Sequence, residues 1–250
     1  MKSRLKILDI WVDPVTRKEA AERVQSVLQN GTRPHAVFAV NPEKNFSVRR
    51  DPELYDCYRR AELLLPDGIG MVKAAELLHG ARLSRVPGSE FIYDVCEIAR
   101  QEGKAIFVYG AKEAVNQRSC EVLKDRFPGI QIAGRANGCV KGANMPGLID
   151  KINGSGAAVL FVALGSPKQE KWICRHKSQL THVRVVQGLG GTLNTIAGTV
   201  KRAPEFWRNH SIEWLYRLLS EPKRIKRQKV LPVFALLVLI EWMKMRLGLK

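Results

Sequence analysis

One carboxylate stands out for its setting. Asp67 lies between Pro66 and Gly68 in the stretch AELLLPDGIGMVKAAELL, residues 61–78, where an apolar run gives way to a helical pattern. An acid there has two jobs open to it. It could cap the following helix, accepting amide hydrogens that lack partners, for about 1 kcal/mol. It could also act as a general base, taking a proton from an incoming hydroxyl. The local pattern leaves both open.

Other chemistries find less support. No G-x-S-x-G is present and none of the five cysteines (57, 96, 120, 139, 174) sits in a nucleophile setting. Those cysteines form no C-x-x-C pair, which argues against a zinc site or disulfide framework and suits a reducing cytosol. The histidines are scattered, H-E-x-x-H is absent, and no D-x-D stands ready to hold a metal on a nucleotide diphosphate. Neither a metal nor a cofactor is expected. Gly188, Gly190 and Gly191 in QGLGGTLN invite a dinucleotide reading, but Leu193 occupies the third glycine position of G-x-G-x-x-G. They suit close approach of backbone amides to a phosphate or diphosphate, or simply a tight strand-to-helix turn. Both readings stand.

The elements that must position these residues alternate along the chain. Apolar, β-branched runs predict strands at 5–10, 35–40, 62–65, 105–110, 130–134, 157–164 and 183–188. Helical patterns fall at about 16–31, opened by Thr16 and Glu19 at capping-box spacing, and near 68–79, 89–102, 112–126, 144–153 and 166–178. This is an α/β arrangement: a Rossmann-like, mostly parallel sheet flanked by helices. Ligands of such sheets bind outside the carboxyl ends of the strands. NPEKN, PDGIG, YGAKE, GSPKQE and QGLGGTLN each follow a predicted strand, so five polar segments could meet in one crevice.

The chain has 250 residues and a formal charge of +17, which calls for an anionic partner. Residues 1–200 read as the α/β catalytic domain. Residues 201–250 read as a basic helical C-terminal appendage, with twelve Lys/Arg against four Glu. Its apolar run at 230–240 has eleven residues against the roughly 20 needed to span a bilayer. A basic stretch beside apolar residues suits the headgroup region of an anionic membrane surface. Packing on the body and a homo-oligomer contact are the alternatives, and Pro232 could split the run into two short helices. The opening MKSRLKILDIWVDP is broken by Asp9 and Asp13 and has no signal-peptide apolar region, so a cytoplasmic location is expected.

Seven ordered blocks resemble the WecG/TagA/CpsF family of bacterial glycosyltransferases: VNPEKN, PDGIGMVKAA, RVPGSEF, FVYGAKE, VALGSPKQEKWI, GLGGTLNTIAGTVKRAPEFW and IEWLYRLLSEPKRIKR. The resemblance implies inverting, metal-independent transfer of an N-acetylmannosamine-type sugar. The donor would be a UDP-sugar and the acceptor a polyprenyl-diphosphate-linked N-acetylglucosamine. It implies work on the cytoplasmic face of the membrane, in teichoic acid, common antigen or capsule assembly. By the same resemblance Asp67 is the base, Asn41 and Gln169 line its pocket, and Arg85 and the turn at Ser89 border the donor. Arg217, Arg224 and Arg227 match arginines of the family's appendage that contact acceptor or diphosphate. An inverting transfer is one displacement and needs one carboxylate, without a nucleophilic second.

Two departures bear on donor choice. Ala39 stands where the family often has Thr, and Leu193-Asn194 where it usually has Phe-Asp. The rival readings are a basic nucleic-acid-binding protein, for which only the charge speaks, and a non-catalytic membrane-associated scaffold.

Overall fold

The computed structural model describes residues 3–140, 142–200, 204, 206–207, 215–216 and 229–248. Its centre is a parallel six-stranded sheet of β3 (His35–Val40), β4 (Leu63–Pro66), β5 (Ile106–Gly110), β6 (Ile132–Ala136), β7 (Val159–Ala163) and β8 (Val185–Gly188). The strand order is β4-β3-β8-β7-β5-β6. The fold class is therefore the expected one.

Helices cover both faces, which is why the strands read as continuous apolar runs. One face packs against α2 (Pro42–Arg49), α3 (Pro52–Arg60), α4 (Ile69–His79), α7 (Met145–Gly154) and α8 (Lys168–His176), through Tyr58, Met71, Ile152, Trp172 and Ile173. The other meets α1 (Arg17–Asn30), α5 (Gly88–Gln101), α6 (Glu113–Arg126) and α9 (Thr192–Ile196), through Val24, Phe91, Val95, Leu123 and Leu193. Successive residues of β3 alternate accordingly: Phe38 and Val40 join the first layer and Val37 the second. The capping box opens α1 as expected. Glu19 N–H donates to Thr16 Oγ1 at 3.1 Å and Thr16 N–H to Glu19 Oε2 at 2.7 Å.

Three local readings need correction. Residues 5–10 are not one strand of the sheet. They fold as part of a separate antiparallel pair, β1 (Leu5–Ile7) and β2 (Ile10–Val12), turned by Leu8 at φ +54°. Two helices absent from the periodicity reading, α2 and α3, fill the segment between β3 and β4. Each is under ten residues long, so an amphipathic period has little room to show, and each begins with proline in its first turn. Pro232 does not divide the C-terminal run, because it is the third residue of a continuous helix, α10 (Val230–Leu247), where its missing N–H costs little.

α10 lies against α4 and α2. Phe234 and Val238, four apart, face inward and are buried. Burying each contributes roughly 1.5–3 kcal/mol. Gly70 makes this fit possible. A Cβ there would stand 2.8 Å from Pro42 Cγ and 3.9 Å from Phe234 Cε1, so a larger residue would push α4 off its neighbours.

Candidate active site

The strand order sets which loops meet. β3 lies between β4 and β8, so the segments leaving Val40, Pro66 and Gly188 emerge side by side at the carboxyl edge. Asp67 N–H donates to Val40 O at 2.9 Å and carries the β3–β4 pairing one residue beyond the strand. This brings Asp67 level with Asn41. Gly68 sits at φ +95°, a conformation side chains rarely adopt, and its Cα faces Asn41: a Cβ on it would be 3.9 Å from Asn41 Cβ.

The choice left open for Asp67 is narrowed by the helix start. Gly68, not Asp67, is the N-cap of α4. Asp67 is half-buried and directly precedes that N-cap, next to the positive end of the α4 dipole. Asn41 is the N-cap of α2, yet its side chain does not cap. Its Oδ1 is buried and has no hydrogen-bond partner among the described residues. An acceptor left so costs roughly 1–3 kcal/mol, a cost that a ligand donor would remove.

Arg85 and Ser89 flank the same strand end. Val86 N–H donates to Pro66 O at 2.8 Å, which pins Arg85 beside the start of the Asp67 loop. Ser89 is the second residue of α5, half-buried. The first, Gly88, abuts Ala39, where a Cβ would lie 2.8 Å from Ala39 Cβ. Gln187, fully buried in β8, donates from Nε2 to Gly88 O at 3.1 Å and so ties this turn to the centre of the sheet.

Gln169 completes the group from the other side. It is buried in the first turn of α8, and its Oε1 accepts the Gly190 N–H at 2.7 Å. That amide is thus held by protein, and Gln169 acts first on the glycine loop itself. Gly190 has φ +58°, and a Cβ on Gly188 would reach within 2.7 Å of Gln169 Nε2, so both positions suit glycine for local reasons. Gly191 is the N-cap of α9, and Asn194 in that helix holds the loop through its N–H to Gly191 O at 3.1 Å. Arg217, Arg224 and Arg227 lie outside the described residues.

Behind the rim lies a buried polar cluster that sequence reasoning did not single out, although Lys44 falls in NPEKN and Ser166 and Glu170 in GSPKQE. Glu170 Oε1 accepts from Lys44 Nζ at 3.2 Å and from Tyr58 OH at 3.1 Å, and Lys44 also reaches Ser166 Oγ. Burial, then the Glu170 charge, pushes the Tyr58 phenol well above its usual range, with a smaller contribution from Asp67. Tyr58 therefore stays protonated and donates.

Two open cavities lie further along the same edge. One of about 670 Å³ is lined by Tyr109, Leu164, Lys168, Trp172 and His176, among others, and one of about 540 Å³ by Glu113, Arg135, Asn137 and Lys151. Neither is lined by Asp67, Asn41 or Gln169. The two cavities sit at the ends of β5, β6 and β7, while the candidate residues gather around β3, β4 and β8.

The class the fold defines is a parallel α/β sheet with a half-buried carboxylate and a buried side-chain amide at adjoining strand ends. The chain matches the model of the Glycosyl transferase WecG/TagA/CpsF family over residues 5–248 and belongs to that family. It is 37% identical over 203 residues, 81% of this chain and 78% of the relative, to the N-acetylglucosaminyldiphosphoundecaprenol N-acetyl-beta-D-mannosaminyltransferase of Bacillus spizizenii. It is 35% identical over 205 residues, 82% and 79% of the two chains, to the protein of the same name from Bacillus subtilis.

Proposed function

We infer that the protein transfers an N-acetylmannosamine-type sugar from a UDP donor to N-acetylglucosamine on a polyprenyl diphosphate. The transfer inverts the anomeric centre, needs no metal, and takes place on the inner face of the cell membrane. The observation that carries this reading is the pairing of half-buried Asp67 with the unpartnered Asn41 Oδ1 at adjoining strand ends. The names of the similar bacterial proteins supply the sugar and the acceptor.

The chemistry follows from one carboxylate. Asp67 takes the proton of the acceptor hydroxyl as that oxygen attacks the anomeric carbon. The carbon–oxygen bond to UDP breaks, and the electron pair leaves on the diphosphate. Asn41 Oδ1 can accept from a sugar hydroxyl or an acetamido N–H, a contact that also orients the sugar. Diphosphate charge falls to Arg85 and, by family position, to Arg217, Arg224 and Arg227; arginine meets phosphate oxygens in bidentate fashion. The absence of D-x-D in the sequence fits a leaving group met by cations and not by a metal.

α10 supports the membrane assignment. Opposite its buried stripe, Val233, Leu236, Leu239 and Met243 are about half exposed, on a helix packed directly against α4 and α2. None of the described helices is long and apolar enough to cross a membrane. An apolar stripe beside the site would hold that edge near lipid-borne acceptor.

The test is release of UDP from UDP-N-acetylmannosamine in the presence of a short-chain polyprenyl-diphosphate N-acetylglucosamine, with Asp67→Asn alongside. Acceptor-dependent release by the wild type, undiminished in EDTA and lost in Asp67→Asn, is the expected result. Release that ignores the acceptor, or survives the substitution, overturns the reading.

A further inference from the structure

The geometry points to Lys44 and Glu170 as a positioning pair that sets the distance between the two halves of the site. Lys44 lies one turn after Asn41 in α2, and its N–H donates to Asn41 O at 3.0 Å. Glu170 follows Gln169 directly in α8. The ion pair of 3.2 Å therefore joins the helix that begins at Asn41 to the helix whose Gln169 holds Gly190. Tyr58 adds α3 to the junction, and Lys44 adds the β7–α8 loop through Ser166.

Burial makes this pair unlike the ion pairs on the surface. The side chains are 10% and 2% exposed. Taking two charges out of water is costly, and their attraction offsets this only in good geometry. Glu170 Oε2 is buried without a partner, so the carboxylate does not satisfy even its own acceptors. Packed apolar side chains would hold α2 to α8 at least as well. What a charge pair supplies in their place is a single fixed geometry: a point ammonium held between Ser166 and Glu170 resists sliding of one helix along the other. Asn41 and the Gly190 loop sit one turn or less from its two ends, so a shift there passes directly to the substrate side. Misplacing reacting groups by about 1 Å is enough to lower turnover on the order of a hundredfold.

This inference rests on the transferase reading for the identity of the atoms being positioned, and its test separates the two. Glu170→Gln keeps the shape and removes the charge. The double substitution Lys44→Met/Glu170→Gln restores charge balance and carries the test should the single variant not fold. The double variant is expected to melt within a few degrees of the wild type. Its kcat should fall at least about tenfold, and the amides of residues 40, 41, 43 and 44 and of 188–191 should exchange hydrogen faster. Wild-type kcat and wild-type exchange in that variant would reduce the pair to charge compensation and overturn the inference. Faster exchange in the variant, together with a wild type that releases no UDP, would leave the clamp standing and remove the transferase reading instead.

Discussion

The two edges of the sheet treat polar groups in opposite ways. At the amino edge Glu62, just ahead of β4, is fully engaged. It accepts from Ala36 N–H at 2.7 Å, from Lys177 Nζ at 2.9 and 3.0 Å, and from Arg33 at 2.8 Å. On the same side Asn153 accepts from Thr181 N–H at 3.0 Å and donates to Gln179 O at 2.9 Å. At the carboxyl edge Asn41 Oδ1, Glu170 Oε2 and Gln187 Oε1 are buried with no partner. Unmet polar groups are costly inside a protein, and several of those among the described residues lie where a parallel sheet binds its ligands, although His176 Nδ1, at the end of α8 next to Lys177, is also without a partner. One edge holds the fold together; the other gives up stability to keep groups available.

The largest effect that would break this contrast comes from Asp67→Asn. Loss of a general base lowers turnover about 100- to 10,000-fold, while melting should move little, because Gly68 and not Asp67 caps α4. Steady-state UDP release and a thermal melt on the same sample check both halves. A strong fall in melting temperature with near-normal turnover would turn Asp67 into a structural residue and erase the contrast. Asn41→Ala comes next. It removes an acceptor that no protein group uses, so stability should hold or rise slightly, while donor KM should rise on the order of tenfold for one lost hydrogen bond. Initial rates of UDP release over a range of UDP-sugar concentrations measure the second quantity directly.

These expectations draw on features of unequal legibility. The strand at 35–40 and the capping box at Thr16 and Glu19 were readable because each is a local pattern with a local cause. Asp67, Asn41, Gln169 and Gly190 were readable as members of polar, Gly-rich segments after apolar runs, and Arg85 only through the family resemblance. That such segments could meet in one crevice was expected; which of them are neighbours was not legible, because it depends on the order β4-β3-β8-β7-β5-β6, and nothing along the chain announces that β8 inserts beside β3. The Lys44–Glu170 pair lay deeper still. Its members are 126 residues apart, and each looks like an ordinary solvent-facing charge within a short polar segment. The turn at Leu8 was hidden for a different reason. A leucine at φ +54° breaks the expectation that only Gly, Asn or Asp turns the chain that way. The glycine loop was legible as a close backbone approach, but what approaches it is Gln169.

A third prediction asks whether the carboxyl edge extends onto α10. Leu236→Glu with Leu239→Glu places two charges on the outward stripe and leaves Phe234 and Val238 untouched. Sedimentation with vesicles containing anionic lipid should fall several-fold, as apolar burial of each leucine contributes roughly 1.5–3 kcal/mol. Turnover on a water-soluble short-chain acceptor should stay near wild type. Equal loss on soluble and membrane-borne acceptor would mean that the stripe serves the site itself.

The smallest effect belongs to the amino edge and runs in the opposite sense. Burial works against the Glu62 charge, but the Lys177 ammonium, the Ala36 amide and Arg33 outweigh it and hold the carboxyl below its usual range. A carboxyl depressed in the folded state stabilises fully above its unfolded value of about 4.3. That contribution disappears as pH falls through the lower folded value. Glu62→Gln should therefore cost about 1–2 kcal/mol at pH 7, since Arg33 is largely exposed and adds little. The difference from wild type should shrink toward zero as denaturation is repeated below pH 4. Activity per folded molecule should not change, because Glu62 sits at the far end of β4 from Asp67. A turnover defect at constant stability would show the two edges to be coupled, and the division of labour between them would have to be redrawn.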